Sequence, residues 1–372
     1  MIDQKKSPRI ADAVCRVMVV DDSAIARGIV TRTLEEDRGI KVVASAPNGV
    51  MALKAMRSHE IDVVILDIEM PELDGMATLP RLLAANPDLK IIMASAASQH
   101  DADVTLKAIS MGAVDYIPKP STGLGGAASF RQELIDKVKM HGARDAASVK
   151  AVRRPAPKAA PAATPTITQR SIGRNQIERP DVIAIGSSTG GPQALAEVLR
   201  DLDAHIWQPI LITQHMPATF TAMLAEHMTR YSGRVAAEAR DGELLSPGRI
   251  YVAPGGKHLL VETQAAGGVR IRLDDGPPEN SCKPAVDPML RSLSRIFKNK
   301  LLVVILTGMG CDGLKGCEEV VNGGGIVLAQ DQETSVVWGM PGAVVQAGLC
   351  REVLPLSLIG PAIAQISGGE GK

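Results

Sequence analysis

Short, continuous runs of Val, Ile and Leu alternate along the chain with amphipathic segments, and this alternation limits the fold more than any other feature. In the N-terminal third the predicted strands are 17–20, 42–44, 63–66, 91–94 and 114–117. The predicted helices between them are 24–36, 50–58, 76–85 and 104–111. Strands that are apolar throughout are buried on both faces, which is typical of a parallel sheet covered by helices. We therefore predict a flavodoxin-like five-stranded α/β domain.

The C-terminal half repeats the pattern. Its predicted strands are 182–185, 210–213, 302–306 and 326–329. They indicate a second doubly wound, mostly parallel α/β domain. The stretch from 234 to 273 instead alternates apolar and polar residues (RIYVAP, HLLVE, VRIRL). We expect it to form an antiparallel insertion or sheet edge.

A Pro- and Ala-rich stretch separates the two halves. It carries six basic residues and no acidic residue between positions 146 and 177, without helical or strand periodicity. Such a composition buries little apolar surface, so we expect a flexible linker over 142–179, although its basic excess would also suit a docking patch. The predicted domains are 14–141 and 180–368, in line with two or three domains for 372 residues.

Composition excludes several classes of function. Lys+Arg and Asp+Glu both number 41, so the chain lacks the net charge that coats nucleic acid or an anionic membrane. Aromatic residues make up only 2%, which argues against base stacking. The five scattered cysteines and seven histidines lack CxxC or HExxH spacing, which disfavours a disulfide framework or a zinc site. With no signal-peptide pattern and no apolar run approaching 18 residues, we expect a cytoplasmic protein without membrane insertion.

Polar residues follow the strands of the first domain where each strand ends. They are Asp21, Asp22, Asp67, Ser95 and Lys119. Ligands of an open parallel sheet bind at the carboxyl ends of its strands, so these side chains are expected to converge. Crowded carboxylates favour Mg²⁺, and one of them would then accept a phosphoryl group. Each acidic pair alone would equally suit a helix N-cap or a turn.

These residues lie in four motifs, VMVVDDS (17–23), VVILDIEMPELDG (63–75), IIMASA (91–96) and GAVDYIPKP (112–120). Over about residues 16–140 the chain resembles a response-regulator receiver domain. The resemblance implies Asp67 as phospho-acceptor, and Mg²⁺ held by Asp22, Asp67 and the backbone carbonyl of Glu69. It also implies that Asp21 completes the acid pocket, that Ser95 is the switch hydroxyl and that Lys119 contacts the phosphoryl group.

The second domain opens with the spacing Gly186-x-Ser188-x-Gly190 between a strand and a helix. This spacing suits a nucleophile elbow, but the same glycines would also cradle a phosphate or dinucleotide. The next strand ends in Gln214-His215, which supplies a base rather than the acid that binds a ribose. No Gly-Lys-Ser/Thr follows, which argues against a P-loop.

Asp312 follows the third strand and completes a Ser188, His215, Asp312 set. Such a set activates a serine: the histidine takes its proton and the aspartate orients the imidazole. Backbone N–H groups of the 188–191 turn and near Met309 would line an oxyanion hole. Asp312 would alternatively cap the following helix, and His215 would be a core histidine. The order Ser–His–Asp differs from the Ser–Asp–His order of α/β-hydrolases.

Further motifs are AIGSSTGGP (184–192), TQHMPATFT (213–221), YVAPGGKH (251–258), VILTGMGCDG (304–313) and AQDQETSVVWGMPGAVVQAGL (329–349). With them, residues 180–368 resemble the catalytic domain of chemotaxis protein-glutamate methylesterases, which also deamidate glutamine. The resemblance implies Ser188, His215 and Asp312 as the triad, with Thr189 and Met309 near the oxyanion site. The chain departs from the family's usual His-Arg-Pro-Ser-Val-Asp run at Cys282-Lys283-Pro284-Ala285, which leaves open which receptor site is preferred.

The two resemblances together predict a hydrolase that phosphorylation activates. The expected partners are a histidine kinase as phosphodonor and methylated chemoreceptors as substrate, without nucleic acid, because no basic helix-turn-helix is present. Our hypothesis is that the unphosphorylated receiver covers Ser188, and that phosphorylated Asp67 repositions Ser95 and Tyr116 to release it. The alternative is a receiver-controlled adaptor, or a regulator outside chemotaxis with a related output domain.

Overall fold

The computed structural model describes residues 14–95, 98–119, 126–142, 179–202, 206–265 and 267–368. Packing divides the chain into two units, and each contains one parallel sheet. Apart from residues 142 and 179, the expected linker lies outside the described residues, so its character stays a prediction. Within the described residues, the helices are all too short or too polar to span a membrane.

The first sheet has five parallel strands. They are β1 (Cys15–Val20), β2 (Ile40–Ala46), β3 (Val63–Asp67), β4 (Lys90–Ser95) and β5 (Asp115–Pro118), in the order β2-β1-β3-β4-β5. The helices that follow them in the chain are α1 (Ala24–Glu35), α2 (Gly49–Ala55), α3 (Gly75–Ala85), α4 (Gln99–Ser110) and α5 (Gly126–Gly142). All five residues of the central strand β3 are buried, as its continuous apolar run predicts. The predicted flavodoxin-like topology is confirmed.

Side-chain caps begin three of these helices. Ser23, Asn48 and Asp74 each accept a backbone N–H from the first turn of α1, α2 and α3 respectively. In the segment Asp21-Asp22-Ser23 the N-cap is therefore Ser23, which leaves the two aspartates for another role. Gly75 is required by close packing, since a Cβ there would lie 2.1 Å from the carbonyl oxygen of Asp67.

The second sheet has seven parallel strands. They are β6 (Val182–Ser187), β7 (Ile210–Gln214), β8 (Ala236–Glu238), β9 (Ile250–Val252), β12 (Leu301–Ile305), β13 (Ile326–Gln330) and β14 (Glu352–Leu354). Their order is β14-β13-β12-β6-β7-β9-β8, so the direction of winding reverses between β12 and β6. Parallel sheets bind ligands at such a switch point.

The antiparallel insertion is a hairpin of β10 (His258–Thr263) and β11 (Val269–Asp274). The prediction was wrong for RIYVAP, because β9 pairs in parallel with β7 and β8 and belongs to the main sheet. Alternation marks a half-buried strand but does not fix the direction of its partner.

Helices connect or follow the strands of the second sheet. They are α6 (Gly191–Arg200), α7 (Ala218–Ser232), α8 (Val286–Phe297), α9 (Leu314–Asn322), α10 (Met340–Gln346) and α11 (Leu356–Ile366), with a 3₁₀ turn at Lys298–Lys300. Buried side chains of α8, β12 and the β10–β11 hairpin share one apolar core. This packing fixes α8 and the segment before it beside the ends of β6 and β12.

Candidate phosphorylation site and candidate active site

An acidic pocket forms at the carboxyl ends of β1 and β3. Asp21, Asp22 and Asp67 each offer an oxygen atom, and these oxygens lie within 4.8 Å of one another. Lys119 Nζ lies 2.8 Å from Asp21 Oδ2 and 2.7 Å from Asp67 Oδ1. The predicted convergence of these four residues is therefore present in the structure.

Electrostatics in this pocket favour a cation. Burial, together with the nearby Asp21 carboxylate, raises the pKa of Asp67 although Lys119 acts in the opposite direction. The pKa of Lys119 is raised as well, because its two carboxylate partners outweigh its burial. A pocket with one lysine for three carboxylates offers hard oxygen donors of the kind that Mg²⁺ prefers.

Three further residues were predicted to act in the receiver: Ser95, Glu69 and Tyr116. Ser95 is buried at the end of β4, and its carbonyl accepts the backbone N–H of Lys119 at 2.7 Å. Glu69 is exposed two residues after Asp67. Tyr116 is buried on β5, with Lys137 Nζ 4.8 Å from its ring centre. Their roles in phosphorylation stay predictions.

Ser188 lies in a tight turn between β6 and α6, as the glycine spacing predicts. Gly190 has a φ of 76°, and a Cβ there would lie 2.7 Å from Val336. A Cβ on Gly308 would lie 2.8 Å from Ser188 Cβ, so only glycine lets the loop after β12 approach the serine this closely. The turn therefore presents a half-buried Ser188 against the end of β12.

The neighbouring strand β7 is locked to this turn. Ser187 Oγ donates to Gln214 Oε1 at 2.6 Å, and Gln214 Nε2 donates to the Ser188 carbonyl at 2.8 Å. The backbone N–H of His215 donates to the Ser187 carbonyl at 3.1 Å. These hydrogen bonds hold the backbone of His215 beside the turn that carries Ser188.

His215 and Asp312 form the predicted base–carboxylate pair. His215 Nε2 lies 2.7 Å from Asp312 Oδ2, and both side chains are largely buried. Asp312 also accepts the backbone N–H groups of Val286 at 2.6 Å and Asp287 at 3.1 Å, where α8 begins. Asp312 thus bonds to the start of α8 as well as to His215. The alternative hypothesis, that Asp312 only caps the helix that follows it, does not explain these contacts.

The two pKa values in this pair shift in opposite directions. Burial acts to raise the pKa of Asp312, but the His215 hydrogen bond and the Val286 and Asp287 amides lower it overall. For His215, burial lowers the pKa, yet hydrogen bonds to Asp312 and Cys282 raise it to about 9. The site therefore stabilises an imidazolium beside a carboxylate, the charge state that a general base reaches after taking a proton.

Within the described part of the chain, Ser188 Oγ makes no hydrogen bond to His215. The second imidazole nitrogen, Nδ1, lies instead 3.3 Å from Cys282 Sγ. Nucleophile–base bonds are often formed only once substrate is bound. The structure thus brings His215 and Asp312 together and places Ser188 in the adjacent turn.

Backbone amides near Ser188 differ in whether they already have an acceptor. The N–H groups of Ser188 and Gly191 are occupied, donating to Thr307 at 3.1 Å and to the Ser188 carbonyl at 2.8 Å. Those of Thr189 and Met309 donate to no acceptor among the described residues. Unused N–H groups beside a nucleophile are what an oxyanion hole requires.

The sequence did not predict the contacts of two residues at this site, Asn280 and Cys282. Asn280 Nδ2 donates to Asp312 Oδ1 at 2.8 Å, and no motif pointed to it. Cys282 was noted as a departure from the family pattern, but its contact with His215 was not foreseen. Cys282 lies in the run that departs from the family pattern, whereas the sequence carried no signal for Asn280.

Two family models match the chain, the response regulator receiver domain over residues 17–124 and the CheB methylesterase over residues 183–363. A protein-glutamate methylesterase/protein-glutamine glutaminase of Azospirillum brasilense is 55% identical over 366 residues, covering 95% of this chain and 92% of that protein. One from Paramagnetospirillum magneticum is 51% identical over 378 residues, covering 97% and 98%. The crystal structure of the Thermotoga maritima CheB methylesterase catalytic domain is 42% identical, covering 50% of this chain and 98% of that one, with a TM-score of 0.49.

Proposed function

Because the chain belongs to the protein-glutamate methylesterase/protein-glutamine glutaminase family, we propose that Ser188, His215 and Asp312 hydrolyse glutamate γ-methyl esters on chemoreceptors. The observation that supports these roles is the His215–Asp312 hydrogen bond of 2.7 Å beside the Ser188 turn. The same site would deamidate glutamine, because an amide and an ester pass through the same acyl-enzyme.

In the proposed mechanism, Ser188 Oγ attacks the ester carbonyl while His215 takes its proton. One imidazole nitrogen must then face Ser188, so the ring releases Cys282 while its other nitrogen stays on Asp312. The N–H groups of Thr189 and Met309 would stabilise the oxyanion, an interaction worth about 3 kcal/mol per donor. His215 returns the proton to the methoxide oxygen as its bond to the carbonyl carbon breaks, so that methanol leaves. Water then attacks the acyl-enzyme with His215 again as base, and the glutamate carboxylate is released.

The first unit regulates this activity by phosphorylation. We assign Asp67 as the phospho-acceptor, with Lys119 neutralising charge on the transferred group. Asp22, Asp67 and the Glu69 carbonyl would hold Mg²⁺, with Asp21 completing the pocket. The bound ion would supply positive charge that lets the carboxylates and the phosphoryl group approach.

The proposed chemistry identifies the partners. A histidine kinase would supply the phosphoryl group, and the substrates would be the methylated cytoplasmic helices of chemoreceptors. We accordingly propose that the enzyme works in the cytoplasm. We also propose three segments: a receiver over 14–141, a linker over 142–179 and a catalytic domain over 180–368. The proposed function involves neither binding to nucleic acid nor insertion into a membrane.

The decisive test is methanol release from methylated receptor membranes. We expect the Ser188→Ala protein to lose about 10⁶-fold in kcat, because the nucleophile is gone. The Ser246→Ala protein is a matched control and should keep its activity, since among the described residues the exposed Ser246 hydroxyl bonds only to the Leu244 carbonyl, at 3.4 Å. Retained turnover in Ser188→Ala would show that another group is the nucleophile, and inactive wild-type protein would favour an adaptor.

A further inference from the structure

A tight turn, Glu279–Cys282, reaches the His215–Asp312 pair from outside the sheet. Glu279 and Cys282 exchange two backbone hydrogen bonds, of 3.1 and 2.9 Å. Between them Asn280 and Ser281 have φ values of 52° and 63°. Positive φ at both central residues is typical of a type I′ turn, which Asn tolerates better than Ser does.

The turn is anchored to helix α8. The Glu279 carboxylate accepts two hydrogen bonds from the Arg291 guanidinium, both of 2.6 Å. Paired, charge-assisted bonds of this kind fix direction as well as distance. The tip of the turn is therefore held in place on a rigid element, and Asn280 does not depend on the substrate for its position.

The Asn280 side chain bridges two buried carboxylates. Its amide nitrogen lies 2.8 Å from Asp312 Oδ1 and 2.9 Å from Asp287 Oδ2. Asp312 and Asp287 are 2% and 1% exposed, so water cannot readily replace the amide. A primary amide has two N–H donors and no charge, which suits it to satisfy both anions at once.

The carboxylates of Asp287 and Asp312 repel each other. Burial and the charge of Asp312 raise the pKa of Asp287, which reports repulsion between the two carboxylates. Asp287 is held on its other oxygen by the Gly316 backbone N–H at 2.6 Å. Without an intervening donor, the repulsion would push Asp312 away from Asp287 against its bonds to the Val286 and Asp287 amides, and it would weaken the contact of Asp312 Oδ2 with His215 Nε2.

We propose that Asn280 is a positioning residue of the hydrolase, which holds Asp312 in the orientation that binds His215. The inference rests on the proposed roles of His215 and Asp312. Asn280 acts on the reaction only through that pair. It is expected to affect the chemical step and not the binding of substrate.

The test compares two glycine substitutions in the full-length protein. Glycine accepts positive φ, so Asn280→Gly removes the amide without straining the turn, and Ser281→Gly is the matched control. We expect kcat for methanol release to fall about 10-fold in Asn280→Gly with KM unchanged, since a hydrogen bond to a charged group is lost. Ser281→Gly should keep its kcat. Asn280→Asp, which replaces a donor by a third carboxylate, should lose more than Asn280→Gly.

A signature independent of activity is the low-field NMR signal of the imidazole N–H shared by His215 and Asp312. We expect it to move or broaden in Asn280→Gly and to stay in Ser281→Gly. Wild-type kcat and an unchanged signal in Asn280→Gly would overturn the inference, as would equal losses in both glycine variants. An active Ser188→Ala protein would refute the proposed nucleophile instead, and the NMR comparison would still decide on Asn280.

Discussion

At the residue scale, His215 has a partner on each nitrogen, and this determines its protonation. Asp312 and Cys282 raise its pKa to about 9 against the effect of burial. A base with such a raised pKa is protonated at neutral pH in the resting enzyme, and in the proposed mechanism only its neutral form accepts the Ser188 proton. The rate of ester hydrolysis is therefore expected to rise with pH until His215 is neutral.

Replacing Cys282 by Ala should shift this dependence in a known direction. The hydrogen bond to Cys282 raises the pKa of His215, so its loss lowers that pKa and moves the acid limb of kcat/KM to lower pH. Cys311→Ala is the matched control, because this exposed thiol precedes Asp312 in the chain without bonding to His215. Methanol release measured between pH 6 and 9 decides the question, and identical acid limbs in the two variants would contradict it.

At the scale of elements, the sequence predicted most strands because their apolar runs are continuous and they lie in buried sheets. Helix α5 was not predicted, although Phe130, Leu134 and Val138 recur every four residues and pack into the core of the first unit. The role of Asn280 was beyond prediction for a different reason. Its contact with Asp312 spans 32 residues and depends on two consecutive positive φ values that neither residue type demands.

The junction of β3 and α3 also shows how an element positions a reactive group. A Cβ on Gly75 would meet the Asp67 carbonyl at 2.1 Å, so Gly75→Ala must displace the backbone that carries Asp67. We expect destabilisation by about 1–3 kcal/mol and slower phosphorylation of Asp67. Gly28→Ala is the control, since a Cβ there on α1 meets nothing within 4 Å and should stabilise by about 1 kcal/mol. Thermal unfolding and phosphoryl incorporation measure both, and equal behaviour of the two variants would refute the packing argument.

At the scale of the whole molecule, both sheets place their candidate sites at the same edge but with different residues. In each sheet the reactive groups follow the carboxyl ends of adjacent parallel strands, where backbone loops and helix starts meet. The first sheet collects carboxylates and a lysine around Asp67, the proposed phospho-acceptor. The second collects a serine, a histidine and one carboxylate. Composition alone conceals this division, since a chain of zero net charge contains both an acidic pocket and a site in which a histidine faces a carboxylate.

The link between the two sites is tested with a small acyl phosphate as phosphodonor. We expect the donor with Mg²⁺ to accelerate methanol release by the wild type and to leave Asp67→Ala at its basal rate, because Asp67 is the proposed phospho-acceptor. Removing Mg²⁺ with a chelator should abolish the acceleration but spare basal hydrolysis, since the carboxylate cluster lies in the first unit and Ser188 in the second. Equal acceleration of wild type and Asp67→Ala would contradict control through Asp67. A fall in basal rate on chelation would instead place a metal requirement in the hydrolase itself.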